Sequence, residues 1–410
     1  MRAKDRLAAL GQGRLVFVLL SLLLLAPCFW QPRLQAGDLS SHIYNSWLAA
    51  LVESGRLHGL IIVRQWTNVL FDLMLAGLFR VVGPEAAQRI GVSIAVLTFV
   101  WGAFTFVSAV SGRRAWHLLP CLSMLAYGWV FHMGFFNFYL SMGLCFWALA
   151  LAWDWQRWRV LAALLVLVLA YLAHALPVVW TLGLFTYTWL ARRMEPFRRG
   201  LLAGGFVLVL VIFHSIVGAR SLTSWSPLQL TLSPGEDQAW AFDTKYYVVL
   251  MGLVIIWGLL FMQLVRRLGA REVVSSIPFQ LCVIGAAAVF ILPGTVLIPG
   301  FYHALSYIAE RMSLGVAVCL CALLGAGRPR LLERCALLVV AFTFFGFIYH
   351  DERTLNSFED RMQDVVSRVQ PEKRFDSPYI PAPHGGMLRI EDRRVVIYQV
   401  GGNTSGRVII

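Results

Sequence analysis

Charge is scarce in this sequence. Only 14% of its 410 residues are Asp, Glu, Lys or Arg, against 59% hydrophobic, too little polar surface to cover a soluble fold of this size. Its apolar runs also lack alternation. Residues 161–170 read LAALLVLVLA, which excludes a transmembrane β-barrel. The seven Cys lie in or beside apolar runs and none in the long polar loops, which argues against a disulfide framework, and Cys319-Leu-Cys321 lacks metal-site spacing. There is no internal repeat, no low-complexity segment and no nucleotide-binding glycine loop.

What is present is apolar length. Runs such as 200–218 and 246–265 suffice, at about 1.5 Å per helical residue, to cross a hydrocarbon core of roughly 30 Å. The net charge of +13 invites a nucleic-acid reading, but the Arg residues stand in short clusters between apolar runs, as cytoplasmic loops do under the positive-inside rule. Nucleic acid is therefore not expected as a partner; membrane lipids are.

Arg2, Lys4, Arg6 and Arg14 place the N-terminus inside. No small-residue cleavage site follows the first apolar run, where Pro27, Cys28, Phe29 and Trp30 stand instead, so it reads as a retained helix. Spans are expected near 15–30, 88–110, 117–131 and 138–153. The stretch 160–190 should hold two short spans that turn at His174 and Pro177. Further spans follow near 201–218, 246–265, 277–292, 312–325 and 335–349. Each Arg cluster then falls on the inner side, giving about eleven helices with the C-terminus outside.

The expected fold is an all-α polytopic transmembrane bundle. Residues 1–350 form the membrane domain with a first outer loop at 31–87, and 351–410 a small extracytoplasmic tail. Segment 67–83 carries Asp72 and Arg80 and suits a helix lying in the outer interface. The tail holds an amphipathic stretch, 355–369, and two strand-like runs near 394–400 and 407–410. The sequon Asn403-Thr404-Ser405 matters only in a secretory eukaryotic setting.

This topology sends most unusual polar residues outward. Asp38, His42, His58, Asp72, His132, Asn137 and His174 lie there, with Glu236, Asp237, Asp243, Lys245, His303, Glu310, Arg311, His350 and Asp351. Ionisable groups at membrane depth are costly and point to function, here to a cavity opening outward. Two readings stand for each. Asp38 is either the N-cap of an amphipathic helix ending near Gly55, or a general base with His42 at i+4 to orient it or meet a phosphate. His132 and Asn137, around the turn Gly134-Phe135-Phe136-Asn137-Phe138-Tyr139, either accompany interfacial aromatic anchors or line a sugar or headgroup site. His174 either satisfies backbone freed at Pro177 or contacts ligand. Arg311 either pairs with Glu310 or grips phosphate bidentately. Glu236, Asp237 and Asp243 read as solvated loop surface rather than a metal site.

The segment GDLSSHIYNSWLAALVESG, with Asp38 just after helix one, resembles the catalytic first loop of the polytopic GT-C superfamily of glycosyltransferases. The following NVLFDLMLAGLFRVVGPEAAQRI is similar to that family's second interfacial helix leading into the next span. The helix count and short outer appendage also fit. The resemblance covers about the first quarter of the chain in pattern and the remainder in topology. It implies a GT-C-like bundle that transfers sugar from a polyprenyl-phosphate donor on the outer face of a bacterial-type inner membrane. Asp38 would be catalytic, and His42, Asp72, His132, Asn137, His174 and Arg311 substrate-binding. Many family members carry paired acids in this loop, whereas Leu39 follows Asp38 here and the next carboxylate is Glu53; Asp72 is a candidate for the second acid. No cofactor is expected, and no clear ligand set supports a divalent metal. A transporter or lipid flippase, or a non-catalytic scaffold of the same architecture, is the alternative.

Overall fold

The computed structural model describes residues 3–56, 62, 65–297, 304–368, 380–381, 386–391 and 394–399. Within them the chain is mostly helical. α1 (Ala3–Leu24) leads through a short 3-10 turn to α2 (Leu39–Glu53) and α3 (Leu70–Val82). α4 (Pro84–Ser111), α5 (Leu119–Ala126), α6 (Trp129–His132) and α7 (Phe136–Ala152) follow. Then come α8 (Arg157–Ala173), α9 (Ala175–Ala191) and α10 (Pro196–Arg220). A loop carrying β1 (Leu222–Ser224) and three 3-10 turns joins α10 to α11 (Tyr247–Leu268). The remaining helices are α12 (Ala270–Val274), α13 (Ile277–Ile291), α14 (Ile308–Leu324) and α15 (Leu331–Ser367), with β2 (Thr295–Leu297) between α13 and α14. β1 and β2 pair antiparallel. Near the C-terminus β3 (Ile380–Pro381), β4 (Gly386–Glu391) and β5 (Arg394–Gln399) form an antiparallel sheet in that order. The sequon and residues 407–410 lie outside the described residues.

Among the described residues, α4, α10, α11 and α15 are long and apolar enough to cross a membrane. α4 and α7 form the centre. A Cβ on Gly143 would stand 2.7 Å from the Phe99 Cα, and one on Gly102 2.4 Å from the Gly143 carbonyl. Small residues thus let two backbones meet where lipid supplies no hydrophobic drive for association. α10 is the opposite case: Leu201, Leu208, Val209, Ile212, Phe213 and Ile216 are all exposed, a surface suited to acyl chains.

The bundle has two chemically distinct ends. At one, Arg113 Nε donates to the Gly325 carbonyl at 3.1 Å, Arg267 to that of Ala326 at 2.8 Å, and Arg199 Nε to that of Ala191 at 2.9 Å. Cations here meet the negative ends of helices. α14 (17 residues, Ile308–Leu324) starts at the opposite end, and Arg311 in its first turn stands 13 residues from Leu324, or about 20 Å at the helical rise.

Two expected elements differ. The span near 117–131 is broken: α5 stops at Ala126 and α6 starts after Gly128, where a Cβ would collide with the Gln238 carbonyl at 2.0 Å. The last span and the amphipathic stretch are one helix. α15 runs 37 residues without interruption, through position 350, because nothing between Tyr349 and Leu355 breaks a helix.

Candidate functional site

Asp38 begins α2, yet its carboxylate makes no capping hydrogen bond. The capping reading therefore fails for the side chain. The segment is held by its backbone instead: Gly37 N–H donates to the His132 carbonyl at 2.8 Å and Asp38 N–H to that of Met133 at 3.0 Å. Gly134 permits this approach. Its φ is +79°, and a Cβ there would stand 2.3 Å from the Asp38 nitrogen. The two segments that stood out in the sequence thus dock on one another, leaving the Asp38 side chain exposed.

His42 does not orient Asp38. Its Nδ1 pairs with Asp72 Oδ1 of α3 at 2.8 Å. Asp72 Oδ2 accepts from Asn137 Nδ2 at 2.7 Å, and Asn137 Oδ1 accepts from the Phe71 N–H at 2.8 Å. The result is a chain Asn137–Asp72–His42 that ties α7, α3 and α2 together. Asn137 is only 1% exposed, so it serves by fixing Asp72 rather than by touching a ligand. With Nδ1 donating to the Asp72 carboxylate, the neutral ring carries its lone pair on Nε2.

Arg311, in the first turn of α14, does not pair with Glu310. Its guanidinium lies 3.7 Å from the Phe135 ring centroid and 6.0 Å from that of Phe138, and its buried Nε has no hydrogen-bond partner among the described residues. Such a cation is available to an anion. Although Asp38 is exposed as a residue, neighbouring atoms partly withdraw its carboxyl from water, and this desolvation pushes it upward, against the pull of His42 and Arg311, while Asp72 adds to the rise. Asp38, His42, Asp72 and Arg311 thus share one electrostatic neighbourhood. Two residues in left-handed backbone flank it, Asn68 at φ 60° and Tyr307 at φ 57°. The Asn68 carbonyl accepts from Asn137 at 3.2 Å and the Tyr307 carbonyl from the Arg311 N–H at 3.0 Å. Such strain, about 1–2 kcal/mol for a bulky residue, gathers at functional sites.

The other expected ligand residues have structural partners. His174 Nδ1 accepts from Leu176 N–H at 3.1 Å, capping α9; burial pushes its imidazole down to about 3. This is the backbone-satisfying role. His132 is buried, donating through Nδ1 to the Gln35 carbonyl at 2.8 Å, with Phe242 against its ring at 4.5 Å. Beside it opens a cleft of about 860 Å³ between residues 32–43, α4 and the far end of α15. His58 and His303 lie outside the described residues.

The acidic loop is a correction. Asp237 is not solvated surface: its Oδ2 accepts from Ser313 Oγ at 2.7 Å and Gln238 Nε2 at 2.9 Å, and burial pushes its carboxyl up to about 7. Asp243, by contrast, caps the Thr244–Tyr246 turn through the Lys245 N–H. Among the described residues no group of three His, Cys, Asp or Glu side chains is placed to hold a metal. Sequence reading also missed Phe135 as the platform for Arg311; its only signal was the aromatic crowding after Gly134. Comparison with protein-family models, curated proteins and solved structures finds no match for this chain.

Proposed function

We propose that the chain is an eleven-span glycosyltransferase of an inner membrane, working on the extracytoplasmic face with its N-terminus in the cytoplasm. The reading rests on the shared neighbourhood of Asp38 without a capping bond, the Asp72-anchored His42 and Arg311, whose Nε has no hydrogen-bond partner among the described residues, at the end remote from the arginine clusters. Its donor is a polyprenyl-phosphate-linked sugar. Arg311 neutralises the phosphate as its bond to the anomeric carbon breaks. The acceptor oxygen forms the new bond at that carbon with inversion, and its proton passes to Asp38. His42 offers a second proton-accepting nitrogen beside it. The leaving group is the lipid phosphate, and the chemistry as drawn calls on side chains alone.

Proteoliposome assays with a polyprenyl-phosphate sugar test this. Asp38→Asn is expected to lower kcat at least about 100-fold, the scale of a lost general base, and Arg311→Gln to raise the donor KM. Parental activity in Asp38→Asn overturns the role of Asp38. Substrate flux without covalent turnover points to a transporter.

A further inference from the structure

Glu310, beside Arg311 in the chain, floors a further pocket of about 300 Å³ together with Asp237, and Trp129, Trp240 and Phe242 wall it. Its walls are braced: Trp240 packs on Tyr247 at 4.8 Å and Phe242 on His132 at 4.5 Å. Trp129 leans on Phe135 and Tyr307 at 5.8 and 5.7 Å, the same two residues that border Arg311.

In the pocket floor and the turn beneath it, unpartnered buried acceptors outnumber donors: Asp237 and Glu310 line the pocket, while Glu236 and Gln238 adjoin it in the chain. Asp237 Oδ1, Glu310 Oε2, Glu236 Oε2 and Gln238 Oε1 are buried atoms without a partner among the described residues. With the carboxyls ionised all four are acceptors, against one unpartnered buried donor nearby, Arg311 Nε. Gln238 is 0% exposed. Its carboxamide sits within the cluster, Nε2 donating to Asp237 Oδ2 at 2.9 Å and to the Glu310 carbonyl at 2.8 Å, while Oε1 waits for a donor. Buried acceptors left unmatched call for a ligand that only donates. The nearby cations do not supply it: Arg311 lies over Phe135, and Lys245 is paired with Asp243 and Asp351. A hard metal ion wants six or more oxygens around it, and three aromatic rings cannot give them. Aromatic faces do attract an organic cation, strongly where water is excluded.

We propose that this pocket binds an organic ammonium group, its N–H donors directed at Asp237 and Glu310 and its charge held between Trp129, Trp240 and Phe242. The volume admits an amino sugar or the amine of a phospholipid headgroup. The site is separate from Asp38 and stands whether or not sugar transfer occurs.

Calorimetric titration of the full chain in phosphatidylglycerol nanodiscs tests it, with glucosamine and ethanolamine as probes and glucose as the uncharged control. Both amines should bind saturably and glucose should not. Glu310→Gln, which removes a charge whose Oε2 has no hydrogen-bond partner among the described residues, should weaken amine binding at least tenfold with an unchanged melting temperature; Trp240→Leu should weaken it likewise. Asp38→Asn should bind amines like the parent, which separates this site from the transfer reaction. Adding phosphatidylethanolamine to the nanodiscs identifies the source: competition with the probes assigns a lipid amine, and its absence a sugar-borne one. Equal binding of glucose and glucosamine, no amine binding by the parent, or parental affinity in Glu310→Gln overturns the proposal.

Discussion

Asp38 could be read from the sequence as a cap or as a reactive carboxylate, and the two make different predictions. A capping side chain replaced by Ala costs about 0.5–2 kcal/mol. Because the Asp38 carboxylate accepts no cap bond, Asp38→Ala should leave the thermal midpoint in detergent unchanged while abolishing transfer. Gly134→Ala should do the reverse of a silent change. Its positive φ alone costs an L-residue about 1–2 kcal/mol, and the Cβ would push into the Asp38 nitrogen, so both melting temperature and activity should fall. Asp237 predicts a pH dependence. Its folded-state carboxyl titrates at about 7 rather than 3.8. The folded protein therefore holds this proton more tightly than the unfolded chain. That contribution to stability is complete below about 4, is lost as pH rises to about 7 and is absent above. Asp237→Asn should flatten that part of the stability profile in chemical denaturation at stepped pH.

Helix α15 joins the membrane bundle to the first loop. Beyond position 350 it grips that loop: Trp30 Nε1 donates to Glu352, Arg33 N–H to Asn356 Oδ1 at 2.9 Å, and the Arg33 guanidinium to Asp360 at 2.7 Å. None of these contacts was legible in the chain, since the partners lie more than 300 residues apart. The amphipathic pattern of 355–369 announced a helix, and the apolar run before it announced a span; their continuity needed only the absence of a breaker. A proline at Thr354 would remove a helix hydrogen bond and clash with the preceding turn, costing about 3 kcal/mol or more. Thr354→Pro should free the first loop, seen as new protease cleavage between Trp30 and Asp38 while the spans stay protected. α2 and α3 were likewise visible as amphipathic segments, but their joining through His42 and Asp72 was not. The i+4 spacing favoured a His42–Asp38 contact, and the tertiary packing of α3 against α2 offered Asp72 instead.

For the molecule as a whole, the separation of an arginine end from an Asp38 end should be measurable as membrane sidedness. In a background without the native Cys, Thr231→Cys should react with an impermeant maleimide from outside intact cells. Arg193→Cys should react only after permeabilisation. The opposite pattern would invert the topology. This division was already written in the order of residues, because hydropathy and arginine placement are local quantities that a bilayer reads directly. The mostly helical character and the long apolar helices α4, α10, α11 and α15 followed the same way from apolar length, whereas the break between α5 and α6 and the unbroken run of α15 did not.

The pairing of polar groups did not. Whether Asp38 is bonded or free, which acid holds His42, and why Asp237 turns to Ser313 and Gln238 rather than to water depend on backbones that approach across the bundle. Gly134 makes one such approach possible, and hydrogen-bond partners there are chosen by distance in space rather than along the chain. The opening scarcity of charge foretold a lipid-covered protein; where its few charges meet was fixed by packing.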